Sequence, residues 1–233
     1  MDYSDSIRSN AVNFSTVATL TDALHEETLT GWAVFQTTCT YASTSSFTIS
    51  GDYTTTFTKG TPLKFTNSTL KYANVASSSY SAPNTTVNII VNADYVLANT
   101  TISGVYIARS PGAAGFPGWF NFTSSYTGFS ANPTNKSVYK IDGNVCTFMT
   151  GNTASGTSNA ASYGQTLPIA CATIASFSVR TFGTGSDNGS YAPNVFITLS
   201  SAATSVAGTL NGGSTNFTAS GAKAASFTIV YPI

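Results

Sequence analysis

The pattern of apolar and polar positions divides the chain into a short opening segment and a long β-forming remainder. In the opening segment Val17, Leu20, Leu24 and Thr28 recur at steps of three and four, with Asp22, Glu26 and Glu27 off that stripe. This is the spacing of one face of an amphipathic helix and predicts one over about 16–29, ending near Gly31. A helix this short is not stable alone. Its stripe therefore docks either on its own domain or, as an attachment arm, on a neighbouring subunit. Residues 1–32 are read as an attachment segment, with Val17, Leu20 and Leu24 as the assembly contacts.

From Trp32 onward the pattern becomes one of two-residue alternation, and Thr, Val, Ile, Tyr and Phe dominate. Branched and aromatic side chains suit a pleated surface. Residues 47–50, a Gly51-Asp52 turn and 53–57 predict one hairpin; 63–65, 66–68 and 70–75 predict a second. Strands at 87–91, 95–97 and 102–107 complete a first β unit over 33–108. Strands at 137–141, 144–149, 174–182, 194–199 and 226–231 predict a second unit over 136–233. Its connections are rich in Gly, Ser, Asn and Thr at 151–164, 183–189 and 211–215. Turns every 8–12 residues or so belong to small sandwiches and barrels, and long loops between such strands to a jelly roll. The fold class is all-β: two antiparallel sandwich or barrel units, the C-terminal one jelly-roll-like, behind a short helical segment.

Between the units, 109–135 opens on a stretch rich in proline and glycine, which breaks strands and marks a domain boundary. Its aromatics Phe116, Trp119 and Phe120 either plug the joint between the units or form a solvent-facing platform on which a sugar stacks.

Composition narrows the function classes. Charged residues make up 8% of the 233-residue chain, against a usual ~25%. Ser and Thr supply about 30%, so the polar surface is hydroxyl rather than charge. Nine basic and nine acidic residues cancel, which excludes a broad electrostatic grip on nucleic acid or an anionic membrane and removes repulsion between copies. The sequence has no apolar run of about 18 residues to insert in a bilayer. The polar, acidic start lacks the pattern of a secretory signal, so the chain is expected to fold in a cytoplasm. Cys39, Cys146 and Cys171 form no CxxC pair and read as buried thiols; a Cys146–Cys171 disulfide is conceivable, but spacing alone does not support it.

Catalytic patterns are sparse. His25, the one histidine, lies beside Glu26 and Glu27 on the predicted helix, and no Gly-X-Ser-X-Gly elbow marks a serine nucleophile. Zinc spacing, a Walker loop and a dinucleotide fingerprint are missing. Beyond the opening segment the acids are Asp52, Asp94, Asp142 and Asp187. Asp52 and Asp142 adjoin turn glycines, and Asp187-Asn188-Gly189 reads as a turn in preference to a weak calcium loop. Eight Asn-X-Ser/Thr sequons occur, as chance allows in so Asn-, Ser- and Thr-rich a chain. The expectation is a non-enzyme without cofactor or metal.

The stretch Phe47-Thr-Ile-Ser-Gly-Asp-Tyr-Thr-Thr-Thr-Phe-Thr-Lys-Gly-Thr-Pro-Leu-Lys-Phe65 resembles a segment of phage and prophage structural proteins. The resemblance continues through Lys71-Tyr72, Val75, Ser79-Tyr80-Ser81, Thr85-Thr86-Val87 and Gly115-Phe-Pro-Gly-Trp-Phe120. Ile141-Asp-Gly143, Gly156-Thr-Ser-Asn159, Leu167-Pro-Ile169 and Gly221-Ala-Lys-Ala-Ala-Ser-Phe-Thr-Ile-Val-Tyr-Pro-Ile233 are similar to a β-sandwich module of the same setting. The resemblance implies a virion structural protein, either a capsid decoration (cement) protein or a tail-fibre or receptor-binding component. Its expected partners are copies of itself in a homotrimer, other virion proteins and a host cell-surface glycan. One alternative is a stand-alone carbohydrate-binding module or adhesin, with Trp119, Phe116 and Tyr126 as an exposed strip. A second is a polysaccharide hydrolase depending on Asp142 or Asp187.

Overall fold

The computed structural model describes residues 29–91, 95–109, 112–176 and 178–233. The predicted helix, with Val17, Leu20, Leu24 and His25, lies outside the described residues. Within them the chain is all-β, as its alternation predicts, and forms two antiparallel sheets. The first contains β1 (Trp32–Phe35), β2 (Cys39–Ser43), β3 (Ser46–Ser50), β4 (Pro62–Asn67), β5 (Thr69–Ser81), β6 (Asn84–Ile89) and β7 (Ser103–Ala108), in the order β1-β7-β4-β5-β6-β3-β2. The long strand β5 serves two half-sheets: its first half pairs with β4, its second with β6, across an irregularity between Val75 and Ser77. The two edge strands, β1 and β2, follow each other in sequence. An antiparallel bridge from Cys39 to Ile102, just ahead of β7, draws them together and rolls the sheet, which shields strand edges from other chains. The inward residues of these strands, among them Phe47, Ile49, Leu63, Phe65, Val75, Val87 and Ile107, make an apolar core.

The hairpin predicted at 47–57 does not form. Strand β3 pairs with β2 and β6, while 53–57 is a turn in which the amides of Thr56 and Phe57 both donate to the Tyr53 carbonyl at 3.0 Å. Asp52 starts the turn by accepting from the Thr54 amide (3.0 Å) and hydroxyl (2.8 Å). This local hydrogen bonding competes successfully with strand propensity. It delivers Phe57 into the core, edge-on to Phe35 at 5.0 Å and Phe47 at 5.9 Å. Burying a Phe side chain in this way contributes about 1.5–3 kcal/mol. Residues 95–97 are likewise not a strand, because Asn67 takes up the nearby backbone: its Oδ1 accepts from the Ala98 amide (2.7 Å) and its Nδ2 donates to the Ala98 carbonyl (3.1 Å).

The second sheet contains β8 (Phe120–Phe122), β9 (Tyr126–Thr127), β11 (Thr134–Asp142), β12 (Val145–Ala154), β14 (Tyr163–Thr166), β15 (Ser178–Asp187), β16 (Ser190–Ser200), β17 (Ser205–Thr209) and β18 (Ala222–Pro232). Their order is β8-β11-β12-β18-β15-β16-β17-β14-β9, with β10 (Phe129–Ala131) and β13 (Gly156–Ser158) paired to each other and β13 to β18. Here β18 is the shared strand, joined to β12 through its end and to β15 through Ala224–Ser226. Again the edge strands, β8 and β9, are neighbours in sequence, so the sheet rolls. Strands β8, β9 and β10 fall inside the stretch 109–135 read as joint, and the second sheet begins at Phe120. Of the glycine-rich stretch 183–189 read as a connection, residues 183–187 are the second half of β15 and only Asn188 and Gly189 form the turn to β16. A Cβ on Gly183 or Gly185 would collide with the Ser226 or Ala224 carbonyl of β18. These glycines therefore mark close strand approach, not a loop.

Candidate functional site

The joint between the sheets is the most elaborated feature of the described surface, and it is built from aromatic residues. The amide of Ala114 donates to the Thr30 carbonyl (2.7 Å), and the indole Nε1 of Trp32 donates to the Ala114 carbonyl (2.8 Å). These bonds lay the glycine-rich chain across the outer face of the first sheet. Phe116 then packs on Trp32 (5.9 Å), Tyr72 (5.9 Å) and Phe120 (5.4 Å), and Phe120 packs on Tyr95 (5.9 Å) and Tyr139 (5.4 Å, stacked). The rings thus run without a break from β1 and β5 into β11. Phe120 is buried and Phe116 half-buried, so both sit in the joint. Trp119 between them is 42% exposed, with the Lys140 ammonium 5.8 Å from its ring and that ammonium 2.8 Å from the Asp142 carboxylate. Tyr126 lies elsewhere, half-buried against Phe129 and Tyr163. Trp119, Phe116 and Tyr126 do not share one exposed strip.

Beside the ring ladder is a groove of about 370 Å³ whose walls include Lys59, Arg109, Lys140, Asp142, Phe116 and Phe120. Its waist is a backbone contact between the units. Gly60, at φ +85°, lies so close that a Cβ there would sit 2.5 Å from the Gly143 carbonyl oxygen, an approach open only to glycine. The cations come from three separated segments, the β3–β4 connection, the end of β7 and β11, and nothing local in the sequence announces their convergence. Among the described residues of its walls, the Lys140 ammonium is already paired with the Asp142 carboxylate at 2.8 Å.

Two further polar constructions hold the second unit. Lys223 is fully buried, and its ammonium donates to the carbonyls of Gly128 (2.7 Å), Ala160 (2.9 Å) and Ser162 (2.7 Å) while facing the rings of Phe129 (4.5 Å) and Phe217 (5.6 Å). Burial lowers its pKa below the usual lysine range, with Asp187 acting the other way. Three donors meeting three acceptors make this a structural clamp. The sequence does carry a signal for it: Lys223 is in phase with inward Ala225, Phe227, Ile229 and Tyr231.

At the seam between β8 and β9, the buried Gln165 accepts from the Tyr163 hydroxyl (2.8 Å) and donates to the hydroxyls of Ser124 (2.9 Å), Thr150 (3.2 Å) and Ser137 (3.3 Å). Asp187 accepts from the Thr218 amide and hydroxyl, both at 2.8 Å, and so ties the end of β15 to a segment 31 residues further along the chain. Cys39, Cys146 and Cys171 are free, buried thiols, and burial pushes Cys39 up to about 12 and Cys146 to about 11. Among the described residues, no three His, Cys, Asp or Glu side chains gather as a metal site, and no helix is long and apolar enough to cross a membrane. The chain matches no known family, no curated protein and no solved structure.

Proposed function

We propose that the chain is a non-enzymatic structural protein of a bacteriophage particle, assembling as a symmetric homotrimer. It serves there as a capsid decoration protein or as a tail-fibre or receptor-binding component, made in the host cytoplasm and carried on the virion. The observation that carries the assembly role is the outer face of β11, β12 and β18. In register across it lie Val138, Met149 and Thr228, then Lys140, Thr147 and Val230, then Asp142, Val145 and Pro232. Val145, Met149 and Val230 are 39%, 40% and 52% exposed, and Lys136, Lys140 and Asp142 flank them along β11. An apolar centre beside a polar rim is the anatomy of an association surface. A chain without net charge brings copies together without repulsion. The phage setting rests on the resemblance of 47–65 and of the C-terminal module to virion proteins.

Light scattering of the purified chain at several concentrations tests this. The expected mass is three times the 24.1 kDa chain, and a single-chain mass throughout contradicts self-assembly. One observation favours a glycan-binding reading, namely the exposed indole of Trp119 beside Lys140. Under that reading Trp119→Ala abolishes retention on a host-glycan column while leaving the melting temperature in place, and retained binding removes it.

A further inference from the structure

Strand β18 changes partners midway along its length. Its second half pairs with β12, from Phe227 opposite Thr150 to Pro232 opposite Val145. Its first half pairs with β15, from Ser226 opposite Thr184 to Ala224 opposite Ser186. Past Thr150 the ladder between β12 and β18 ends, and Asn152 ties the two strands instead. Its amide donates to the Ser226 hydroxyl at 3.0 Å, and its Nδ2 donates to the Ala225 carbonyl. Between the departing end of β12 and the second half of β15 lies a cleft of about 260 Å³, with Asn152, Thr153, Ser155, Thr184, Ser186 and Tyr191 among its walls.

This cleft is polar without charge. Among the described residues, none that lines it is ionised. The charged residues next to its walls in sequence are engaged elsewhere: Asp187 accepts from Thr218, and Lys223 donates to three carbonyls of the 128–162 connections. The Ser155 and Ser186 hydroxyls meet at 2.8 Å and join the two sides of the cleft. A hydroxyl has one donor and two acceptor positions, so the pair keeps hydrogen-bonding capacity for a ligand. Asn152 Oδ1 is buried and has no donor among the described residues, which leaves an unmet acceptor in the wall. Tyr191 is 72% exposed, and alternation along β15 puts the exposed Phe182 on the same outward row as Thr184 and Ser186. An uncharged sugar fits these groups. Its hydroxyl rim both donates and accepts, and the C–H face of its ring packs on an aromatic side chain. A charged ligand would give up water here without a counter-charge, and an apolar one would strand the hydroxyls.

We propose that the cleft between the end of β12 and β15 is a binding site for a neutral glycan. Tyr191 stacks on a sugar ring, the hydroxyls of Ser155, Thr184 and Ser186 bond its rim, and Phe182 supports the next ring of a longer chain. The site is complete in one copy and uses neither Trp119 nor the side chains given to the association face. It therefore holds or fails apart from the virion reading, which the mass of the assembly tests.

The test is ¹H–¹⁵N NMR of the full chain titrated with the methyl glycosides of glucose, galactose, mannose and N-acetylglucosamine, and with methyl glucuronide as the charged counterpart. The expected result is saturable shifts of the amides of 152–155 and 184–186 with at least one neutral glycoside, at a Kd on the order of millimolar, and none with the glucuronide. Tyr191→Ala should weaken that binding about tenfold. Tyr191→Phe keeps the ring and should retain it, and Tyr80→Ala, at an exposed tyrosine of the first unit, should leave it unchanged. The same spectra report folding, so a variant that unfolds is told apart from one that loses the sugar. Four results would overturn the proposal: no neutral glycoside moving these amides, equal shifts with the glucuronide, shifts centred on Trp119 in their place, or undiminished binding by Tyr191→Ala.

Discussion

The two β units solve one topological problem with different interiors. In each, the edge strands are consecutive in sequence (β1 and β2, β8 and β9), and one long strand, β5 or β18, is shared between half-sheets. The first unit closes over an apolar filling in which Phe35, Phe47, Phe57 and Phe65 interlock. The second closes over an apolar core too, with Phe148, Ile197, Leu199 and Ile229 buried in it, but sets polar groups into that core: Gln165 with its three hydroxyl acceptors at the seam, and Lys223 under the 128–162 connections. Apolar contact fixes how much is buried, whereas a saturated donor set fixes which carbonyls meet. That distinction matters where irregular chain, not strand, must be positioned.

The largest effects should come from substitutions that attack each filling. Phe57→Ala opens a cavity in the first core and is expected to cost about 3–5 kcal/mol in urea unfolding. Lys223→Met keeps apolar volume yet orphans three carbonyls, and a loss on the order of 3–5 kcal/mol is expected. A near-neutral Lys223→Met would show that packing alone holds the second unit, and the contrast between the interiors would collapse. Next in size, Gly60→Ala forces a side chain into a left-handed conformation and against the Gly143 carbonyl. It should cost about 1–3 kcal/mol and loosen the joint, seen as earlier hydrogen exchange at Phe120 and Tyr139.

Alkali separates the units more gently. Burial raises Cys39 in the first core to about 12 and Cys146 in the second to about 11, from an ordinary 9.0. Above pH 9 the unfolded chain loses these protons while the folded chain keeps them, so stability is intact below pH 9 and falls as pH rises toward 11–12. Cys39→Ala should flatten part of that fall, measured as melting temperature against pH. The smallest effect is expected at Trp119→Ala, whose exposed ring supports little; a change within about 0.5 kcal/mol follows.

The sheets were legible in the sequence wherever alternation was long: β4 with β5, β11 with β12, and the bodies of β16 and β18 lie where the pattern predicts strands. Reading failed where chemistry outweighed propensity. The Asp52 turn withdrew 53–57 from the sheet, and Gly183 and Gly185 looked like a loop although they mark the contact of β15 with β18. Short strands such as β13 and β17 carry too few alternating positions to stand out. Phe116, Trp119 and Phe120 were visible as a group. Their division into two joint residues and one exposed indole was not, because it depends on Trp32, Tyr72 and Tyr139, distant in sequence. The groove cations were invisible for the same reason.

The assembly role stands or falls on the outer face of β11, β12 and β18. The most direct measurement is the light-scattering mass of Met149→Lys/Val230→Lys beside the parent chain, with both melting curves recorded. Both side chains are exposed, so folding should survive. The account predicts a parent of three times 24.1 kDa and a variant of 24.1 kDa with an unchanged melt. A variant that keeps the parent's mass would contradict it, as would a parent that is itself a single chain.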